Sequence, residues 1–203
     1  MSSTITRWTF VRHGQSTANA GGWIAGHTDA PLSDLGRIQA LAARARIDEV
    51  PYERVLCSDL SRAIDTARIL TAGPGRVIPM TIDAALRERA CGEWEGLSLA
   101  TLSESSALDV LHTFDERPPA GESLRDVAVR VLEFLGGQAA GGHALVVCHG
   151  ALMRAVIGVL DGTDHTQVGV WKPDNCEAVT RAADARQLTS LAASLKADAP
   201  RRG

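Results

Sequence analysis

Aromatic side chains are scarce in this 203-residue chain: three Phe, one Tyr and four Trp, 4% of the total. There is little to stack on nucleobases. With a formal net charge of −3 and basic residues scattered along the chain, no nucleic-acid face is predicted. No apolar run approaches the length of a membrane span. The opening MSSTITRWTFV has no apolar signal core and leads straight into a predicted strand, so a cytoplasmic location is expected. Cysteine is sparse too. Cys57, Cys91, Cys148 and Cys176 form no CxxC pair and no zinc-ligand spacing, and they are read as small buried hydrophobes in a reducing compartment. Repeats and low-complexity stretches are absent, and only a tail from about Lys196 reads as loose. What remains is an ordinary globular balance, 45% hydrophobic and 22% charged, sufficient for one domain with a small lobe.

Periodicity alternates between strand and helix. Strands are predicted at Thr9–Val11, Arg54–Cys57 and Val77–Ile82, and at Ala144–Cys148, whose continuous apolar run suits a parallel strand buried on both faces. Ser33 is a candidate cap for a helix to about Ile47 that buries Leu35, Ile38, Leu41, Ala42 and Ala45. Further helices are predicted over Leu60–Thr71, irregularly over Ser98–Asp115, from Ser123 with Leu124, Val127, Ala128, Val131 and Leu135 on one face, and over Ala151–Leu160. Leu86–Gly96 is read as a functional loop within which a lobe of about residues 92–121 begins, and Cys176–Thr180 with Gln187–Leu191 as a closing hairpin. The fold class predicted is α/β, a three-layer sandwich with a mainly parallel central sheet.

In such sheets ligands lie beyond the carboxyl ends of the strands. Two predicted strands end alike, in Val11-Arg12-His13-Gly14 and Val147-Cys148-His149-Gly150. If those strands are neighbours, two imidazoles share one crevice.

Six blocks accompany them in order: VRHGQSTAN (11–19), GHTDAPLSDLGRIQA (26–40), CSDLSRAIDTA (57–67), LRERACGEWEGLS (86–98), PAGES (119–123) and VVCHG (146–150). In this order and spacing the chain resembles the histidine phosphatase superfamily, the phosphoglycerate-mutase-like proteins, over about residues 8–160. The resemblance implies a phosphomonoesterase that hydrolyses a small phosphorylated metabolite without metal or cofactor. His13 would be the nucleophile and Glu88 the general acid. Arg12, Arg62 and His149 would grip the phosphate, with Asn19, Thr28 and Gly150 completing the binding set. Thr28 could equally brace its loop. Ser58 and Glu122 lie in family motifs without an assigned role, and Trp94 is read as a packing anchor. The resemblance leaves a homodimer open.

The chemistry fits these residue types. Phosphoryl transfer needs an in-line nucleophile, cations around three oxygens and a proton for the departing alkoxide. A neutral histidine is nucleophilic near pH 7 if its other nitrogen is held by a hydrogen bond. Arginine forks match phosphate oxygens better than lysine does. His149, if protonated, would add a third positive charge, and a carboxyl such as Glu88 beside a bound phosphate is pushed toward its protonated form.

Three other readings stand against this one. Cys148 and Arg154 have the C-x5-R spacing of cysteine-dependent phosphatases, though that leaves the other five blocks unexplained. A mutase would move phosphate between hydroxyls of phosphoglycerate, but mutase members are generally longer and commonly carry Asn where this chain has Ala151. A catalytically dead binding module would be expected to lack one of the catalytic residues. Within the acidic loop, Glu93 and Glu95 compete with Glu88 for the acid role.

Overall fold

The computed structural model describes residues 4–73, 77–104 and 107–199. Five strands form one sheet in the order β3-β2-β4-β1-β5, where β1 is Thr6–Arg12, β2 Arg54–Cys57, β3 Met80–Ile82, β4 Gly142–Cys148 and β5 Ala178–Ala183. β1, β2, β3 and β4 run parallel, and only β5 runs antiparallel, beside β1. The sheet is mainly parallel, as its apolar strands demanded. Alternate residues of β4 serve the two faces: Ala144, Val146 and Cys148 join one core, Leu145 and Val147 the other. Each such fully buried Val or Leu contributes about 1.5–3 kcal/mol.

The helices are α1 (Thr17–Gly21), α2 (Asp34–Asp48), α3 (Ser61–Thr71), α4 (Leu99–Ser103), α5 (Ala107–His112), α6 (Leu124–Gln138), α7 (Gly150–Leu160) and α8 (Ala185–Ala197). α2 and α3 cover the face bearing Leu145 and Val147; α6, α7 and α8 cover the other. α6 starts where its sequence indicated: Ser123 and Asp126 form a reciprocal capping box, and Leu124, Val127, Ala128, Val131 and Leu135 are all fully buried. No helix among the described residues is long and apolar enough to cross a membrane.

α2 departs from expectation. Ser33 does cap it, its side chain accepting from Gly36 N. The buried residues, however, are Gly36, Ala40, Ala43 and Ile47, while Leu35, Ile38 and Leu41 are 49%, 61% and 54% exposed, and Ala42 and Ala45 also face outward. The reason is steric. A Cβ on Gly36 would strike the Gln15 carbonyl and one on Gly14 the Gly36 carbonyl, so two backbones touch here and only small side chains fit beneath the helix.

The predicted closing hairpin is half right. Its first arm is β5, but Gln187–Leu191 lies inside α8. Asp184 caps that helix through Gln187 N, and Leu188, Ala192 and Leu195 are buried at helical spacing. The same helix runs through Lys196 to Ala197, and residues 200–203 of the tail lie outside the described residues. The Val77–Ile82 strand is confined to Met80–Ile82. In the predicted Ser98–Asp115 helix, described residues form α4 and α5 as separate short pieces, and residues 105–106 are outside the description. They pack with Ile24, Cys91 and Trp94 in a small apolar cluster distinct from the two sheet cores, where Trp94 serves as a packing residue.

Candidate active site

β1 and β4 are neighbours in register, Arg12 opposite Cys148, and the His13 amide donates to the Cys148 carbonyl at 2.9 Å. Both strand ends therefore deliver their histidines to one crevice. The rings of His13 and His149 stand 5.1 Å apart, edge to face, and both side chains are buried.

His13 is held from behind. Its Nδ1 lies 2.6 Å from the Gly14 carbonyl, which requires a proton on Nδ1 and leaves Nε2 with a lone pair and no partner among the described residues. The Gly14 amide donates to Thr66 Oγ1, Thr66 donates to the Arg62 carbonyl one turn earlier in α3, and Asn175 Nδ2 donates to the His13 carbonyl. The loop that follows β1 is thereby tied to the helix that carries Arg62. Burial, then Arg62 and Arg12, push the His13 imidazole well below its ordinary value, so it is neutral near pH 7.

His149 caps α7 and lies 2.8 Å through Nε2 from the Ser58 hydroxyl. Ser58 also accepts from the Leu60 amide. Assigning the Ser58 hydrogen to His149 Nε2, an acceptor at 2.8 Å, places the imidazole proton on Nδ1. Burial, Arg62 and His13 push this imidazole down as well. In the free protein His149 is therefore a neutral donor, and the positive charge comes from the arginines.

Arg62 is 1% exposed, and its Nη1 and Nη2 donate to the carbonyls of Thr28 and Gly26. Arg12 donates through Nη1 to the Pro173 carbonyl at 2.7 Å. Burial lowers both guanidiniums from their ordinary value while the Glu88 carboxylate acts in the opposite sense. Among the described residues, two buried nitrogens of this crevice have no partner: Arg12 Nε and His149 Nδ1. Unpartnered buried donors are costly, on the order of 1–3 kcal/mol each. Gly150 packs on Arg12, where a Cβ would lie 3.4 Å from Nε.

Glu88 reaches the same region from the loop before α4. Its carboxylate accepts from the amides of Ala151 and Arg89 at 3.0 Å and of Leu152 at 3.3 Å. Its carbonyl accepts from Arg130 Nη2 and His27 Nε2, and Arg130 also grips Glu122 through Nε and Nη2. Glu122 is thus a brace for this loop, accepting also from the Ala90 amide. Glu95 is a second brace. It accepts from the amides of His27, Thr28 and Cys91 and from the Thr28 hydroxyl, and those bonds hold its carboxyl below the usual range although burial opposes them. The Thr28 hydroxyl proton consequently points to Glu95. Glu93 is exposed. Asn19 caps α1 (its Oδ1 accepts from Ser16 N), with both Nδ2 hydrogens unused by the described residues.

Cys148 is fully buried as the last residue of β4, and burial drives its thiol well above the ordinary value. A thiolate nucleophile needs the opposite shift and an exposed loop, so the C-x5-R reading has no physical basis here. The structure brings Arg12, His13, Arg62, Glu88, His149 and Gly150 together; Asn19 sits in α1 and Thr28 on the loop whose carbonyls hold Arg62. Sequence reasoning offered Glu95 only as a rival acid, not as the brace it is, and missed Arg130, His27 and Arg89. The last is a buried cation satisfied by carbonyls of Glu122, Val110, Leu111 and Glu116. His27 and Arg89 fall within the motif blocks, but no local pattern showed their roles, because their partners lie in distant segments.

Residues 8–192 match the family model described as histidine phosphatase superfamily (branch 1). The chain is 37% identical over 179 residues to a 2,3-bisphosphoglycerate-dependent phosphoglycerate mutase 2 of Gloeobacter violaceus, covering 83% of this chain and 82% of that protein. It is 34% identical over 171 residues to a glucosyl-3-phosphoglycerate phosphatase of Mycolicibacterium vanbaalenii, covering 78% and 75%. Among solved structures, a mycobacterial glucosyl-3-phosphoglycerate phosphatase in complex with VO3 superposes with a TM-score of 0.79 at 30% identity, covering 86% of this chain and 91% of that one.

Proposed function

This chain belongs to branch 1 of the histidine phosphatase superfamily, and from that premise we propose that it is a phosphomonoesterase acting on a small phosphorylated metabolite through a phosphohistidine on His13. One observation carries the reading: the lone pair of His13 Nε2 shares a crevice with two buried, unpartnered donors, Arg12 Nε and His149 Nδ1. A phosphate monoester supplies the acceptors those donors lack, and its phosphorus the target for Nε2.

In the first step Nε2 attacks phosphorus and the ester P–O bond breaks. Glu88 delivers a proton to the departing alkoxide. The charge on the transferring oxygens is balanced by Arg12 and Arg62, with the His149 Nδ1–H as a neutral donor. In the second step Glu88 takes a proton from water, which attacks the phosphohistidine. The N–P bond breaks, inorganic phosphate leaves and His13 returns to its neutral form. The amides at the start of α7 aim the Glu88 carboxylate, while Arg130 and His27 hold its main chain.

The mutase reading keeps support from the phosphoglycerate mutases among the relatives, at 34–37% identity. Water and a second hydroxyl compete for the same phosphohistidine, so the two readings differ only in the acceptor. The test is incubation with a small phosphomonoester, following inorganic phosphate with and without excess phosphoglycerate. Steady release of phosphate with His13 labelled on acid-labile, base-stable nitrogen is expected. Transfer to phosphoglycerate faster than phosphate release would overturn the hydrolase assignment.

A further inference from the structure

Three consecutive peptide groups around His13 are each hydrogen-bonded at both ends. Between Arg12 and His13 the main chain supplies both bonds: the Arg12 carbonyl accepts from the Cys176 amide at 3.0 Å, and the His13 amide donates to the Cys148 carbonyl. Between Gly14 and Gln15 the carbonyl accepts from His13 Nδ1 and the amide donates to Gln39 Oε1 at 2.8 Å. The middle peptide, joining His13 to Gly14, has only side chains as partners among the described residues. Asn175 Nδ2 donates to its carbonyl at 2.9 Å, and its amide donates to Thr66 Oγ1 at 3.1 Å.

A trans peptide is planar, with its C=O and N–H pointing opposite ways. Asn175, just before β5, and Thr66, in α3, therefore grip one rigid plate from opposite edges. Rotation of that plate changes ψ of His13 and φ of Gly14 together, and with them the reach from the imidazole to the Gly14 carbonyl. Gly14, lacking a Cβ, offers little torsional resistance of its own, so the resistance falls to the two side chains. Cys176 shows how firmly the Asn175 turn is fixed. Its φ of +60° lies in the left-handed region, which a non-glycine residue keeps only where its surroundings impose it. Cys176 is buried with Val11, Leu145 and Val147, and its amide is the donor to the Arg12 carbonyl. The turn is thus locked onto β1, and its Pro173 carbonyl holds Arg12 Nη1.

We propose that Asn175 is a positioning residue for the nucleophile: with Thr66 it clamps the peptide between His13 and Gly14, so that Nδ1–H stays on the Gly14 carbonyl and Nε2 keeps its lone pair for phosphorus. This rests on the phosphomonoesterase reading and adds to it the groups that hold the attacking nitrogen. With the plate released, Nδ1 loses its acceptor and the imidazole proton is free to move to Nε2. In that tautomer the nitrogen meant to attack has no lone pair to offer. The fault falls on attack rather than on substrate binding, because the guanidiniums of Arg12 and Arg62 are held by other carbonyls, those of Pro173, Thr28 and Gly26.

The test reads the tautomer and the rate separately, on the whole chain. Nitrogen NMR shifts of the His13 ring, assigned by their loss in His13→Gln, are measured in ligand-free protein near neutral pH. The wild type should show Nδ1–H alone, and Asn175→Ala a mixture of tautomers. In turnover of a small phosphomonoester, Asn175→Ala should lower kcat by roughly 10–100-fold with KM little changed. Asn175→Asp, of the same shape but without the donor, should match it in both readouts, so that neither depends on a cavity. Thr66→Val should lower kcat likewise, and Thr66→Ser, which keeps the oxygen, should restore most of it. Because both side chains act on one peptide, the Asn175→Ala/Thr66→Val double variant should lose little more than the worse single; losses that multiply overturn the clamp. A His13 tautomer unchanged in Asn175→Ala also overturns it, whatever happens to kcat or to stability. A tautomer shift in Asn175→Ala, with no turnover of any ester by the wild type, removes the phosphatase reading and leaves the clamp standing.

Discussion

The Ser58 hydroxyl lies 2.8 Å from His149 Nε2, and this contact decides which nitrogen of His149 carries the proton. Ser58 receives the Leu60 amide and, with its hydrogen assigned to the ring, leaves Nδ1–H for the phosphate oxygen of the proposed mechanism. Replacing Ser58 with Ala frees the ring to adopt either tautomer. Loss of an outer-shell partner of this kind typically costs about 10–100-fold. Ser58→Ala should lower kcat/KM within that range, with denaturant stability little changed. Full retained activity would show that His149 needs no such control.

His13→Ala should abolish turnover, whereas Cys148→Ala should keep most of it, since Cys148 acts only as a small core hydrophobe. The phosphoenzyme, trapped by rapid quench and mapped by mass spectrometry, should carry its phosphoryl group on His13. Label on Cys148 would reverse the assignment.

A general acid matters most when the leaving group is poor. Glu88→Gln should slow hydrolysis of alkyl phosphates by roughly 10²–10⁴-fold, and p-nitrophenyl phosphate much less. Glu95→Gln should impair both substrates together, because Glu95 holds the His27–Thr28 and Cys91 amides. Glu93→Gln should leave both unchanged. A substrate-selective loss in the Glu93 or Glu95 variant instead would transfer the acid role.

The two buried imidazoles make stability depend on pH. Burial, followed by Arg62, depresses both folded values well below the unfolded one of about 6.5. Between those values the unfolded chain binds more protons than the native state, so stability is full above about pH 6.5 and declines as pH falls through the window. Denaturation midpoints should be lower at about pH 5.5 than at about pH 7.5, which bracket that value. A His13→Gln/His149→Gln variant should show a flatter dependence, and an equally steep one would mean that carboxylates elsewhere cause it.

Because Arg12 and Arg62 neutralise the phosphate in the proposed mechanism, activity should survive EDTA. Loss on chelation, restored by added Mg²⁺ or Zn²⁺, would remove that mechanism.

Strand composition and strand ends were legible in the one-dimensional pattern. The β-branched run Val146–Val147 and the repeated His-Gly ends required only adjacency of two strands to create the crevice, and parallel sheets of this kind supply it. The Ser123 cap and the 3–4 spacing of α6 were equally local. Three features were decided only by tertiary contact. The sequence of α2 has its large apolar residues on one stripe, yet the close approach of Gly36 to Gly14 turns the small stripe inward. Gln187–Leu191 could be read as strand until the packing of Leu188, Ala192 and Leu195 over the sheet selected helix. Arg130 and Ser58 acquire their contacts from partners 42 residues away in the case of Arg130 with Glu88 and 91 in the case of Ser58 with His149. Sequence spacing encodes which face of an element a residue occupies; only the folded chain decides what that face meets.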